Sequence, residues 1–347
     1  MKVHLMYPDR DFDPRAALPG HEPDLTADLE LDTLLDAMAA GDAYLRDVAR
    51  RGLHDMLMVP AEITYRQHVL ADCAAHPDVI RGLYDLAIEA IAAERQVFGF
   101  MFRDSPEMIL HRSRQVMALY VTYLRRLADL AARCAPDFRS EGLTTLCAML
   151  KTELTAGYLA EMEDHLDGLE FRRGTLISAR LGTGATGTGY TLRRHPPSRG
   201  WRDRLPAPSR AWQSFTIPER DEAGHRYVSE LTGRGVNDTA NALAQSVDHV
   251  KGFFQLLRAE LGFYLGCLNL RGRLTGRGQP VCYPDPAPPG RDTLTARGLY
   301  DASLTLTAEG EITGNDLAAD GKKLIMITGA NQGGKSTFLR AVGQAQL

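Results

Sequence analysis

The chain has 347 residues, 44% of them apolar and 24% charged, enough to bury a sizeable core over two or three domains. With 40 basic against 44 acidic side chains, the formal charge is −4, which excludes a globally basic nucleic-acid binder and leaves any phosphate contact to local patches. No run approaches the roughly 18 apolar residues of a membrane-spanning helix, and the N-terminus lacks the apolar core of a secretory signal, so membrane and secreted classes drop out.

Residues 1–23, with Pro8, Pro14, Pro19 and Pro23, read as an irregular N-terminal arm. Residues 24–278 read as one mainly helical domain. Pro60, Pro77, Pro106 and Pro136 place helix boundaries near them. Val116, Tyr120, Tyr123, Leu127 and Leu130 recur at spacings of 4, 3, 4 and 3, one apolar stripe of a core-packed helix. The five cysteines, at 73, 134, 147, 267 and 282, show no C-x-x-C spacing, and no H-E-x-x-H occurs. No zinc site or redox dithiol is indicated. The scattered thiols fit a reducing cytoplasm, the expected location.

Charge is unevenly placed. Residues 9–47 hold 11 Asp/Glu against three Arg, a net of −8. Residues 171–210 hold nine Arg against Asp203 alone, a net of +8, within a Gly/Pro-rich stretch at 171–215 that reads as short strands and loops. Such a segment suits a nucleic-acid backbone, with Arg172, Arg173, Arg180, Arg193 and Arg194 as candidate contacts and Trp201 and Trp212 as stacking faces. A solvated arginine loop, or arginines paired with the acidic segment, is the alternative.

Residues 237–268 carry the longest helical pattern. Leu243, Val247, Val250, Phe254, Leu257, Leu261, Tyr264 and Leu268 alternate spacings of 4 and 3, with Asn237 or Asp238 as the expected N-cap. The predicted helix is roughly 45 Å long at 1.5 Å per residue. The proline-rich residues 279–292 then read as a linker.

The sharpest motif is G-x-x-x-x-G-K-S, from Gly329 to Ser336. The apolar run at 324–328 predicts a buried parallel strand before it, and Ser336 opens a predicted helix. Gly329, Gly333 and Gly334 let the backbone turn tightly enough for successive N–H groups to surround phosphate oxygens, helped by the helix N-terminus. Lys335 is placed to reach the β- and γ-phosphates of ATP, and Ser336 to ligate Mg²⁺.

The stretch Thr328-Gly329-Ala330-Asn331-Gln332-Gly333-Gly334-Lys335-Ser336-Thr337-Phe338-Leu339-Arg340 closely resembles the P-loop of the MutS family of DNA mismatch-repair ATPases. Asn331 and the Gly333-Gly334 pair are the distinguishing positions. Ala330 and Gln332 stand where the best-known members carry Pro and Met, which points to a divergent bacterial branch. Ile63-Thr64-Tyr65-Arg66-Gln67 resembles the start of that family's core helical domain, and Phe263-Tyr264-Leu265-Gly266-Cys267-Leu268-Asn269-Leu270 the end of its lever helix. Gly314-Asn315-Asp316-Leu317 resembles the segment beside the adenine. The likeness spans residues 55–347, with only the P-loop highly specific.

The resemblance implies a mainly α fold. A MutS-like core and lever domain with a small β segment would be followed, from residue 293, by the start of an α/β ABC-type P-loop ATPase domain. It implies ATP and Mg²⁺ as cofactors, held by residues 329–337 with Asn315 beside the base and Ser336 on the metal. It implies DNA as partner, a homodimer formed through the ATPase domain, and an ATP-driven clamp in mismatch repair or recombination. The Phe-x-Glu wedge of mismatch-reading members is absent, and the chain ends inside the P-loop helix, before the acidic residues of hydrolysis. This chain is therefore expected to carry no catalytic residue of its own and to be the N-terminal portion of a DNA-dependent ATPase. The alternative is a non-catalytic helical clamp or dimerisation fragment with an unsupported P-loop.

Overall fold

The computed structural model describes residues 1–97, 105–172, 174–194, 216–288 and 290–347. In chain order these form α1 (Glu22–Asp28), α2 (Leu31–Ala39), α3 (Ala43–His54), α4 (Pro60–Ala75), α5 (Pro77–Gln96), α6 (Pro106–Cys134), α7 (Glu141–Glu153) and α8 (Ala156–Gly168). There follow β1 (Leu176–Leu181), β2 (Gly187–Arg193), α9 (Glu222–Gly276), β3 (Thr295–Leu299), α10 (Ala302–Thr307), β4 (Asn315–Ala318) and α11 (Lys335–Gln346). The fold is mainly α, as expected, with two small antiparallel pairs, β1–β2 and β3–β4. Among the described residues no helix is long and apolar enough to cross a membrane.

The helix starts follow local chemistry. Proline opens α4, α5 and α6, where a missing N–H costs nothing. Asp42, Ser140 and Thr155 accept backbone N–H groups at the starts of α3, α7 and α8, each satisfying donors the helix cannot.

The chain divides into two units. The first comprises Met1–Glu89, Arg126–Leu154 and Phe253–Leu347. Its centre is α9, buried without interruption over residues 259–266, as a helix surrounded on all sides must be. Residues 1–21 have no helical period, yet Val3, Leu5, Met6, Tyr7 and Phe12 are buried against this centre. Their polar backbone is satisfied by side chains. Glu260 accepts the N–H groups of Leu5, Met6 and Phe12, while Tyr264 donates to the Leu5 carbonyl and Tyr65 to that of His4. A second cluster of the same unit packs Leu31, Leu34, Leu274 and Leu306 together. Within the acidic stretch of α1–α3, Glu22 pairs with Arg50, Asp32 and Asp36 with Arg46, and Asp47 with Arg51.

The second unit comprises Ala90–Arg125 and Thr155–Gly252. Its part of α6 buries Val116 and Tyr120 of the expected stripe, and the Tyr120 hydroxyl donates to Glu94, itself paired with Lys251 at 2.7 Å. The β1–β2 hairpin sits against α9. A Cβ at Gly235 would lie 2.5 Å from the Ile177 side chain, so glycine is what allows the approach.

Two expectations need correction. The long helix begins at Glu222, not near 237, and its 55 residues give a contour of about 80 Å. Asn237 and Asp238 are exposed within the helix; Asp221 is the cap, its carboxylate accepting the Gly224 N–H at 2.9 Å. The second concerns residues 324–328, which form no strand. Leu324 and Met326 are more than 70% exposed, and no described strand lies alongside to supply the ladder that an apolar run needs to become one.

Candidate functional site

The loop from Gly329 to Gly334 ends at the N-terminus of α11. Gly334 is the N-cap residue, at φ 78°, a left-handed conformation that favours glycine, and no side chain caps the helix. Gln332 also takes a positive φ of 64°, unusual for a residue with a Cβ. Gly333 donates to the Ala330 carbonyl at 3.1 Å; a Cβ there would sit 2.9 Å from that oxygen. The backbone is thus wound back on itself ahead of a helix start with no side-chain cap, where first-turn N–H groups carry partial positive charge.

Lys335 folds over this loop. Its ammonium donates to the carbonyl oxygens of Gly329 and Ala330, at 3.1 and 2.6 Å. The loop therefore holds its cation at the mouth of its own turn. Asn331 and Ser336 are exposed, and Thr337 is half-buried in the first turn of α11. Residues 329–337 thus comprise the loop and the first residues of α11.

Asn315 stands apart in sequence, exposed on β4, where it pairs with Leu299 of β3. The close β3–β4 approach relies on Gly314, whose Cβ would lie 2.3 Å from the Gly298 carbonyl oxygen. Asp316 accepts the Gly298 N–H at 2.8 Å and Asp320 that of Leu294, also at 2.8 Å, fixing this hairpin from both ends.

The other end of α11 is anchored by residues that sequence reasoning missed. Arg340 forms ion pairs with the buried Asp301, which caps α10, and with Glu30, between α1 and α2. Gln344 donates to the Leu29 carbonyl and to Ser303 Oγ, both at 2.9 Å, and accepts the Ala302 N–H. Their available signal was spacing: Arg340 and Gln344 are four apart, on one face of a helix.

The arginine candidates fall on the second unit. Arg180 lies on β1, Arg193 on β2 and Arg194 just beyond it, all exposed. Ile177 and Leu192 pair across the hairpin; Ile177 meets α9 at Gly235, and Leu192 packs on the cluster of Leu110, Val236 and Ala240. The opposite face carries Arg193, whose guanidinium donates to Ser178 at 2.8 Å. Arg172 is engaged by Glu170 at 2.7 Å, so its charge is largely answered locally. Arg173, Trp201 and Trp212 lie outside the described residues.

Among known families, the model described as the MutS2 N-terminal domain matches residues 59–277, more than half of the chain. The matched span runs from the start of α4 to the turn after α9 and includes the β1–β2 hairpin. No curated protein and no solved structure matches the chain.

Proposed function

The chain belongs to the MutS family as a MutS2-like protein, and on that premise we propose that it is an ATP- and DNA-binding component of an ATP-driven clamp in mismatch repair or recombination. The observation that carries the nucleotide reading is the Lys335 ammonium held by the Gly329 and Ala330 carbonyls at the uncapped start of α11. A polyphosphate offers that ammonium stronger, charged acceptors than two carbonyls. It also offers the first-turn N–H groups an anion, so the residues present fit the group.

On this reading the backbone of residues 329–334 cradles the phosphates and Lys335 pairs with the β- and γ-phosphates. Ser336 would supply a hydroxyl ligand to Mg²⁺, with Thr337 beside it in the first turn of α11, and Asn315 would contact the base. Mg·ATP supplies a bond whose cleavage releases energy; the residues named here bind and orient it, and none is assigned as the general base. The exposed Arg180, Arg193 and Arg194 meet the DNA backbone, contributing affinity without sequence preference. Dimerisation follows the family pattern and runs through the ATPase domain, in the cytoplasm.

A second reading, a non-catalytic helical clamp or dimerisation module, draws on the exposed, unpaired residues 324–326. DNA binding measured with and without Mg·ATP separates them. The clamp reading expects nucleotide to change the affinity for duplex or branched DNA, and Lys335→Ala to remove that change. A DNA affinity indifferent to nucleotide favours the module.

A further inference from the structure

The Leu29–Glu30 corner between α1 and α2 is held in an unfavourable backbone conformation. Glu30 sits at φ 50°, ψ 42°, left-handed and without the freedom of glycine. Such a conformation costs on the order of 1 kcal/mol and persists only where surrounding contacts over-determine it.

Those contacts come from α10 and α11. The Glu30 carboxylate pairs with Arg340, its carbonyl accepts Ser303 Oγ at 3.0 Å, and the Leu29 carbonyl accepts Gln344 at 2.9 Å. Leu29 lies directly over Gly343, where a Cβ would come within 2.5 Å of its methyl group. Arg340 and Gln344 converge on Asp301 as well, a carboxylate with no exposed side-chain surface. All these residues belong to the first unit. The helix that begins at the phosphate loop therefore ends as the clasp of the α1–α2 corner.

We propose that Arg340 and Gln344 are positioning residues that couple nucleotide capture at Gly329–Ser336 to the order of α1 and α2, residues 22–39. The inference rests on the nucleotide reading of the loop. At one end of α11, a phosphate draws Lys335 away from the Gly329 and Ala330 carbonyls and binds the first-turn N–H groups. The fraying of that turn is thereby suppressed. A 12-residue helix is a short rod of about 18 Å, so order imposed at its start carries to Arg340 and Gln344, one and two turns on. Their hold on the strained corner then becomes more persistent. Linkage requires the reverse effect: a corner released from α11 weakens nucleotide binding by the same factor.

The test is amide hydrogen exchange of the 1–347 chain with and without Mg·ATP. A Glu30→Gly/Gln344→Ala variant is compared, alongside Arg340→Lys. Glycine suits the left-handed corner, so the double variant removes two ties while leaving the backbone conformation accessible. In the unsubstituted chain nucleotide should slow exchange at residues 22–39 by about fivefold or more, together with residues 329–346. The double variant should still show protection at 329–346 but lose it at 22–39, and its nucleotide affinity should fall by the lost factor. Arg340→Lys, which keeps the charge, should retain part of the effect. Protection confined to 329–346 in the unsubstituted chain overturns the coupling and leaves the nucleotide loop standing. Equal protection of 22–39 in chain and double variant overturns it too. An absence of nucleotide binding overturns the loop reading and the coupling with it.

Discussion

The Glu260 carboxylate of α9 accepts the backbone N–H of Met6 at 3.0 Å, joining residues 254 positions apart in a site with no solvent exposure. With Leu5 and Phe12 also donating to it, this one side chain accepts three backbone N–H groups of an N-terminal segment that has no secondary structure of its own. Burial pushes the Glu260 carboxyl up to about 7 from an ordinary 4.5, against the three N–H donors, which favour the charged form. Because the folded chain binds the proton more tightly than the unfolded one, this group's contribution to stability is full below pH 4.5 and declines as pH rises to about 7.

Glu260→Gln replaces an acceptor oxygen with a donor facing backbone donors, and should cost about 1–3 kcal/mol. The advantage of the unsubstituted chain over the variant should shrink between pH 4.5 and 7. Urea unfolding of both proteins across that range checks it. A gap that is constant, or that grows with pH, contradicts the assignment.

Gly314→Ala should disrupt the β3–β4 hairpin. The new Cβ would meet the Gly298 carbonyl oxygen at 2.3 Å, and a backbone atom in a paired strand yields less readily than a side chain. Overpacking of this kind costs about 1–3 kcal/mol, read as a lowered Tm and faster amide exchange at residues 295–299 and 315–318. An unchanged Tm would mean that the hairpin bends freely there.

The hairpin arginines are tested by salt. Replacing Arg180, Arg193 and Arg194 with alanine should weaken DNA binding across sequences and flatten the dependence of log affinity on log salt by up to about 3, roughly one for each phosphate no longer neutralised. Arg172→Ala should do less, since Glu170 already answers that charge. An unaltered slope in the triple variant would place the DNA-binding surface elsewhere.

What the sequence disclosed follows from how local each determinant is. Gly333 and Gly334 stand out in the sequence because the first sits where a Cβ would crowd the Ala330 carbonyl and the second takes a left-handed φ, constraints that lie within the glycine itself. Pro60, Pro77 and Pro106 announce helix starts because the constraint lies within the proline itself. Asn237 and Asp238 misled, since a capping residue is capping only if its backbone leaves the helix; here it does not, and Asp221 takes the role. Residues 324–328 look like a strand because apolarity signals burial, whereas strand formation depends on a neighbour the period cannot specify. Burial of Leu5, Met6 and Tyr7 was illegible in an aperiodic segment. Glu260, however, sits three residues after Leu257 and four before Tyr264, and a carboxylate inside an apolar stripe marks a buried partner.

Nucleotide capture by the 329–336 loop is tested directly by calorimetric titration of the 1–347 chain with Mg·ATP, with Lys335→Ala measured in parallel. Micromolar binding that Lys335→Ala abolishes without lowering Tm is the predicted result. Millimolar or absent binding, or micromolar binding that survives loss of Lys335, would contradict it.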